Sequence, residues 1–216
     1  MDQDWARERA DMVESQLRRR GIHDQRVLAA MNSVPRERFI DPSFRDRSYA
    51  DDPAPIGGGQ TISQPYMTAL MCQCLALTGT ESVLEIGAGS GYHASVLGLL
   101  AARVTTVEIV PELAELARAN LEGTGLGANV TVVEADGSLG YPAMAPYDGI
   151  SVPAAAPQIP AALVQQLGEG GRLVIPLGSL EDQDLVVLTR HGTKLSRRVA
   201  TGCRFVPLRG RQGWHG

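Results

Sequence analysis

Lysine is almost missing from this 216-residue chain. Lys194 is the single lysine among 20 basic residues, and the rest are arginines. That bias reads as compositional and points to no activity. Cysteine is scarce too: Cys72, Cys74 and Cys203. An odd, sparse set excludes a disulfide framework and fits buried thiols in a reducing cytoplasm, which is the location expected. The four histidines, His23, His93, His191 and His215, are scattered, and a C-x-C pair makes no zinc spacing. No metal is expected. No run of about 18 apolar residues occurs, so no membrane-spanning helix is expected. The first twenty residues are charged throughout and lack an apolar stretch, so they do not read as a signal peptide. Basic residues do not outnumber acidic ones: 20 against 24 gives a net charge of −4. A general nucleic-acid binder usually carries a basic face, so that class falls away.

What remains is enough for a core, since 44% of the residues are hydrophobic by type. At roughly 100–200 residues per domain, the length fits a single domain over 1–216. Within it, 1–78 reads as a helical and loop region and 79–216 as a core of alternating elements. Residues 4–20 read as an amphipathic helix closed by Gly21. Asp24 reads as the cap of a second helix over 25–33. Prolines punctuate 34–56, which predicts turns and single-turn helices. Gly57, Gly58 and Gly59 suit a loop. Ser63, followed by Pro65 and an apolar run, reads as a helix start with Ser63 at or near the N-cap and the helix reaching about Leu77.

From residue 82 the texture changes. Strands are predicted at 82–87, 104–109, 130–135, 147–152 and 172–177. Helices are predicted at 92–102, 111–122 and 160–167. The stretches 184–190 and 195–207 read as a final antiparallel pair. Repeated βα units imply an α/β fold, a doubly wound and mostly parallel sheet covered on both faces.

The strongest local signal is Leu84-Glu85-Ile86-Gly87-Ala88-Gly89-Ser90-Gly91-Tyr92, where the first of these strands turns into a helix. Ligands of open α/β sheets bind at such carboxyl ends. The pattern is neither the dinucleotide fingerprint nor the phosphate loop, because it lacks their spacing and lysine. An acidic residue two positions before G-x-G-x-G is instead the pattern of S-adenosylmethionine methyltransferases. That cofactor has an ammonium and a sulfonium, and a nearby carboxylate such as Glu85 suits it. Glu108, ending the next strand, is placed to accept ribose hydroxyls. Asp136-Gly137, ending the third, is placed beside an adenine ring. His93 reads as a helix-surface residue, and Cys72 and Cys74 as core.

The chain also resembles the protein-L-isoaspartate O-methyltransferase family over roughly residues 8–208. The resemblance rests on VPRERFIDPSF (34–44), PIGGGQTISQPYM (55–67), VLEIGAGSGY (83–92), the DG at 136–137, the segment 145–178, and RFVPL (204–208). It implies a Rossmann-like sheet of the class I methyltransferase type with an N-terminal helical extension. It implies S-adenosylmethionine as cofactor and S-adenosylhomocysteine as product. It implies L-isoaspartyl residues of damaged proteins and peptides as substrate, methylated on the free α-carboxylate so that the ester closes to a succinimide. Ser63 matches the family's active-site serine. Gln60, Thr61, Ile62 and Ser63 would line the cofactor and substrate, together with Glu85, Gly87, Gly89, Gly91, Glu108, Ile109, Asp136 and Gly137 on the cofactor side. Ser63, Val206, Pro207 and Gln212 would serve the substrate. A monomer with no nucleic-acid or membrane partner is expected.

One departure stands out: the family often has Thr or Gly where this chain has Pro153. A related enzyme acting on an ordinary aspartate of one dedicated peptide would share fold and cofactor. Such relatives tend to carry an added C-terminal region, so the short sequence after RFVPL favours repair. No G-x-S-x-G elbow and no Asn/Asp-Pro-Pro-Tyr/Phe motif is present, which argues against a hydrolase and a nucleic-acid methyltransferase.

Overall fold

A computed structural model describes residues 4–214; residues 1–3 and 215–216, His215 among them, lie outside it. The chain opens with α1 (Trp5–Met12), which continues without a break through a π-helical turn and a 3-10 turn to Arg20. Gly21, at φ +95°, ends this run in the left-handed conformation that glycine tolerates best. Next comes α2 (Gln25–Ser33), capped by Asp24, whose carboxylate accepts from the Arg26 and Val27 amides. Two 3-10 turns follow, at Arg36–Arg38 and Pro42–Arg47. Arg36 is wholly buried there, donating to the Ser48 carbonyl and lying over the Tyr92 ring. Phe39 meets the same ring edge-on. These contacts fix the N-terminal region against the later core.

Where a plain glycine loop was expected, the chain forms a hairpin. β1 (Ala54–Gly57) pairs antiparallel with β2 (Gln60–Ile62). Gly58 and Gly59, at φ +57° and +69°, supply the turn, the geometry that two-residue hairpin loops demand. Then comes α3 (Pro65–Leu75), whose N-cap is Gln64 rather than Ser63. Pro65 at the first helical position starts the helix, so Ser63 is left outside it with its side chain free of capping.

The remaining elements are β3 (Ser82–Ile86), α4 (Tyr92–Leu100), β4 (Arg103–Glu108), α5 (Pro111–Thr124), β5 (Val130–Glu134), β6 (Tyr147–Ser151), α6 (Ala161–Gln166), β7 (Leu167–Gly178), β8 (Gln183–His191) and β9 (Lys194–Cys203). They build one sheet in the order β5-β4-β3-β6-β7-β8-β9. The first five strands are parallel, and β8 and β9 run antiparallel at one edge. All five residues of β3 are buried, as a central strand covered on both faces requires. The order turns back on either side of β3, so the crevice for a ligand lies beyond its carboxyl end.

Two boundaries differ from the sequence pattern. β7 begins at Leu167, directly after α6, because glycines at 168, 170 and 171 permit an irregular lead-in opposite Tyr147. β9 ends at Cys203 rather than 207. The Phe205 amide is taken by the Gln183 side chain, and the next residues bond to Ala155 instead of β8. One cluster of buried side chains runs from Met12 and Leu17 through Met71 and Leu97 to Val174 and Val187. At about 1.5–3 kcal/mol for each fully buried aliphatic side chain, this contact ties the N-terminal region to the sheet. No helix among the described residues is long and apolar enough to cross a membrane.

Candidate active site

The carboxyl ends of β3 and β4, with Gly137 just beyond β5, form the floor of a partly open cavity. The turn after β3 is set by the backbone: the Gly87 amide donates to the Val107 carbonyl at 2.7 Å. Gly87 has φ +101°, and a Cβ placed on it would meet nothing within 4 Å, so its face is open to the cavity. Gly91 has another task. It sits at φ +86° as the N-cap of α4, and a Cβ there would come within 3.2 Å of the Ala117 carbonyl. It lets α4 close on α5 and does not line the cavity.

Glu108 ends β4 and lines the cavity although it is 5% exposed. Its carboxylate accepts from the Gly89 amide at 2.9 Å and the Val110 amide at 3.0 Å. An ionised carboxylate has about four acceptor positions, so two remain for a ligand. Ile109, Val110 and Leu113 add an apolar wall.

The hairpin roofs the cavity. Gly58, at its tip, packs near Val110 and Leu113 of the α5 start, and Gln60, Thr61, Ile62 and Ser63 all line the space below. The Arg209 guanidinium reaches the Gly58 carbonyl at 3.5 Å. Beyond Ser63 a second, wider cleft opens, lined by Arg20, Gln64, Tyr66, Arg204 and Phe205 among others. Thr61, Ser63, Pro153, Val206 and Pro207 line both spaces. Ser63 therefore stands on the wall shared by the two spaces. Among the described residues its hydroxyl makes no hydrogen bond.

Four expected contacts lie elsewhere. The Asp136 carboxylate does not face the cavity, although Gly137 does. It accepts from the Ser138 amide and hydroxyl and from the Arg211 amide at 2.9 Å, so it anchors the C-terminal tail. The Gln212 side chain accepts from the Ala162 amide at 3.2 Å and caps α6 instead of facing the cleft. Gly91 packs α4 on α5, as described. Glu85 is wholly buried behind the cavity wall. There it accepts from the Thr106 hydroxyl at 2.5 Å and faces His93 Nδ1 at 3.4 Å.

His93 is not on the helix surface. It is 8% exposed, lines the cavity, and has Nε2 3.4 Å from Cys72 Sγ. Burial favours the neutral form of each group: it raises the Glu85 carboxyl to about 8, with the nearby Glu108 adding to it and Thr106 opposing it. It lowers His93 to about 4 and pushes the Cys72 thiol well up. Cys72 and Cys74 are core residues, as expected.

The pattern reading missed Ile56, Thr68, Ser90, Leu113 and Arg209 in the lining. Thr68 and Ser90 are buried with hydroxyls that find no hydrogen-bond partner. The available signal for Thr68 was one small polar residue inside the otherwise apolar start of α3.

A family model described as protein-L-isoaspartate(D-aspartate) O-methyltransferase matches residues 7–213. The chain belongs to that family. It is 53% identical over 207 residues to a protein-L-isoaspartate O-methyltransferase of Methanoregula boonei, covering 96% of this chain and 95% of the relative. It is also 53% identical over 214 residues to a Marinobacter nauticus protein named protein-L-isoaspartate O-methyltransferase 2, covering 98% and 97%. Among solved structures, one protein-L-isoaspartate O-methyltransferase matches with a TM-score of 0.84 at 30% identity, covering 94% of this chain and 67% of that one. A Plasmodium falciparum protein described as a family member, solved with S-adenosyl-L-homocysteine, matches with a TM-score of 0.78 at 26% identity, covering 93% and 98%. These matches agree with the fold expected from the sequence.

Proposed function

We propose that this chain transfers the methyl group of S-adenosylmethionine to the free α-carboxylate of L-isoaspartyl residues in damaged proteins and peptides. The observation that carries the reading is the position of Ser63 on the wall shared by the cavity and the adjoining cleft. The cavity fits the cofactor. Its lining has an open face at Gly87, a carboxylate with spare acceptor positions at Glu108, and two unpartnered hydroxyls at Thr68 and Ser90. Arg209 is the one arginine in that lining, which holds no lysine among the described residues.

Glu108 would hold the ribose hydroxyls. Ile109 would cover one face of the adenine, and Gly137, which has no room for a Cβ against Ile86, would line the other side. Gln60, Thr61, Ile62 and Ser63 would close over the cofactor from the hairpin, with Gly87 and Gly89 beneath. Glu85 would not touch the cofactor and would shape the wall through its bond to Thr106. When bound, the cofactor supplies a methyl group on a sulfonium, which is electrophilic without further activation.

The acceptor needs little from the protein. A carboxylate with a reference pKa near 4 is already ionised at pH 7, so no general base is required. Ser63 would donate its free hydroxyl to one carboxylate oxygen and hold the other toward the cavity. Positioning of this kind can supply several kcal/mol of the barrier. Val206 and Pro207, fixed by the bonds of their segment to Ala155, would form the opposite side of the opening. Three free thiols support a reducing cytoplasm as the working compartment, and the chain is read as a monomer that acts on other polypeptides.

The test is methyl transfer from labelled cofactor to a matched peptide pair, one with isoaspartate and one with aspartate at the same position. Base-labile label on the isoaspartyl peptide alone is the expected result. Label on the aspartyl peptide would overturn the reading in favour of a dedicated aspartyl substrate.

A further inference from the structure

The open cleft next to Ser63 carries a charge that the transfer chemistry does not use. Its lining includes two arginines, Arg20 and Arg204, and no aspartate or glutamate among the described residues, although Asp182 and Asp184 of the neighbouring strand region lie near Cys203.

The two arginines are not equivalent. Arg20 is committed: its guanidinium pairs with Asp51 and lies over the Tyr66 ring, 3.8 Å from the centroid. Its charge is largely answered inside the protein. Arg204 is exposed and has no hydrogen bond or ion pair among the described residues. Its backbone is held on both sides. β9 ends one residue before it, and the following Phe205 amide is fixed by Gln183 at 2.7 Å. Val206 and Leu208 then bond to Ala155. A free cation thus stands on a rigid segment that is continuous with the site wall at Val206 and Pro207.

We propose that Arg204 is a specificity-determining residue that selects isoaspartyl peptides with an acidic side chain flanking the isoaspartate. The proposal rests on the isoaspartyl reading of the site and names the polypeptide class that the cleft prefers. The physical basis is electrostatic complementarity: an unanswered guanidinium at the rim lowers the energy of an approaching carboxylate and raises that of an ammonium. A rim pair of this kind is partly screened by water, so the preference should be a few-fold.

The experiment uses the full chain and a set of isoaspartyl peptides with Glu, Gln or Lys at each flanking position. At one flank, KM for the Glu peptide should be about three- to fivefold below that for the Gln peptide, and for the Lys peptide above it. Raising the salt should shrink the ratio. Arg204→Lys should keep the order, Arg204→Gln should bring the Glu:Gln ratio close to one, and Arg204→Glu should reverse it in favour of Lys. A general loss of folding cannot reverse a preference, so the charge swap separates recognition from structure. Equal KM values at both flanks in the parent enzyme would overturn the proposal while leaving the methyl transfer intact. A preference that survives Arg204→Glu unchanged would also overturn it. Failure to methylate any isoaspartyl peptide would remove the underlying reading and this proposal with it.

Discussion

The floor and the roof of the cavity are held in different ways. The floor is regular structure. β3 and β4 run side by side in register, and the Gly87 amide simply extends their ladder to Val107. Moving it means moving the central sheet. The roof and the outer wall are held by isolated bonds between distant residues. Gln64 reaches the Asp51 carbonyl at 2.8 Å, Arg209 reaches the Gly58 carbonyl, and Asp136 holds the Arg211 amide. Ser138 accepts from the Gln212 amide at 2.9 Å, and Trp214 Nε1 donates to the Ala155 carbonyl at 3.0 Å. A sheet end offers one rigid surface for a constant cofactor. Polypeptide substrates vary, and the loops and tail around the cleft can be altered without disturbing the core.

Glu108 tests the floor most severely. Glu108→Ala removes the acceptor of the Gly89 and Val110 amides and the expected ribose contact together. Losing charged hydrogen bonds of this kind costs about 3 kcal/mol, or roughly 100-fold in cofactor Kd. Calorimetric titration with S-adenosylhomocysteine measures it, and an unchanged Kd would take Glu108 out of the cofactor site.

A second test of the floor concerns protons. Glu85 holds its proton to about pH 8 when folded, whereas the unfolded chain releases it near the ordinary value of 4.5. The folded state therefore binds more protons in that window, and stability falls as pH rises. His93, held down to about 4 by burial against an unfolded value of 6.5, has the opposite slope between those two values. The two offset each other below about pH 6.5, leaving the Glu85 slope uncovered between about 6.5 and 8. Its upper limit is about 1.4 kcal/mol per pH unit. Denaturant unfolding of Glu85→Gln beside the parent should show that slope disappear. Parallel curves across this window would mean that Glu85 is ionised in the folded protein.

Asp136 belongs to the roof side, despite its place at the end of β5. Asp136→Ala should cost about 1–2 kcal/mol of stability by freeing the Arg211 amide and the Ser138 turn. It should speed proteolysis after Arg209 and Arg211 while cofactor affinity stays within a few-fold. A loss of affinity as large as that of Glu108→Ala would put its carboxylate back beside the adenine.

The same division explains what the sequence made legible. The strands and helices from residue 82 onward follow hydrophobic runs and caps that act locally, so the floor could be read from β3, β4 and their glycines. The place of Glu108 at the cavity floor follows from its position at the end of β4. The hairpin at Gly58-Gly59 was not legible, because its pairing comes from strands of four and three residues, too short to show an alternation. Asp136 and Gln212 were assigned to ligands because nothing local reveals that Arg211 and Ala162 are their partners. His93 was placed on a surface because a buried polar group is recognised only by the residues around it, here Glu85 and Cys72. Ser63 itself was found through the family resemblance of QTISQP, not through any periodicity.

The central claim is that Ser63 serves the acceptor and the floor serves the cofactor. The direct measurement is turnover on an isoaspartyl peptide and S-adenosylhomocysteine affinity, both on Ser63→Ala. The expected result is a fall in kcat of about 100-fold from lost positioning, with Kd within about twofold of the parent. A rise in Kd that accounts for the whole loss of turnover would contradict it and make Ser63 part of the cofactor site alone.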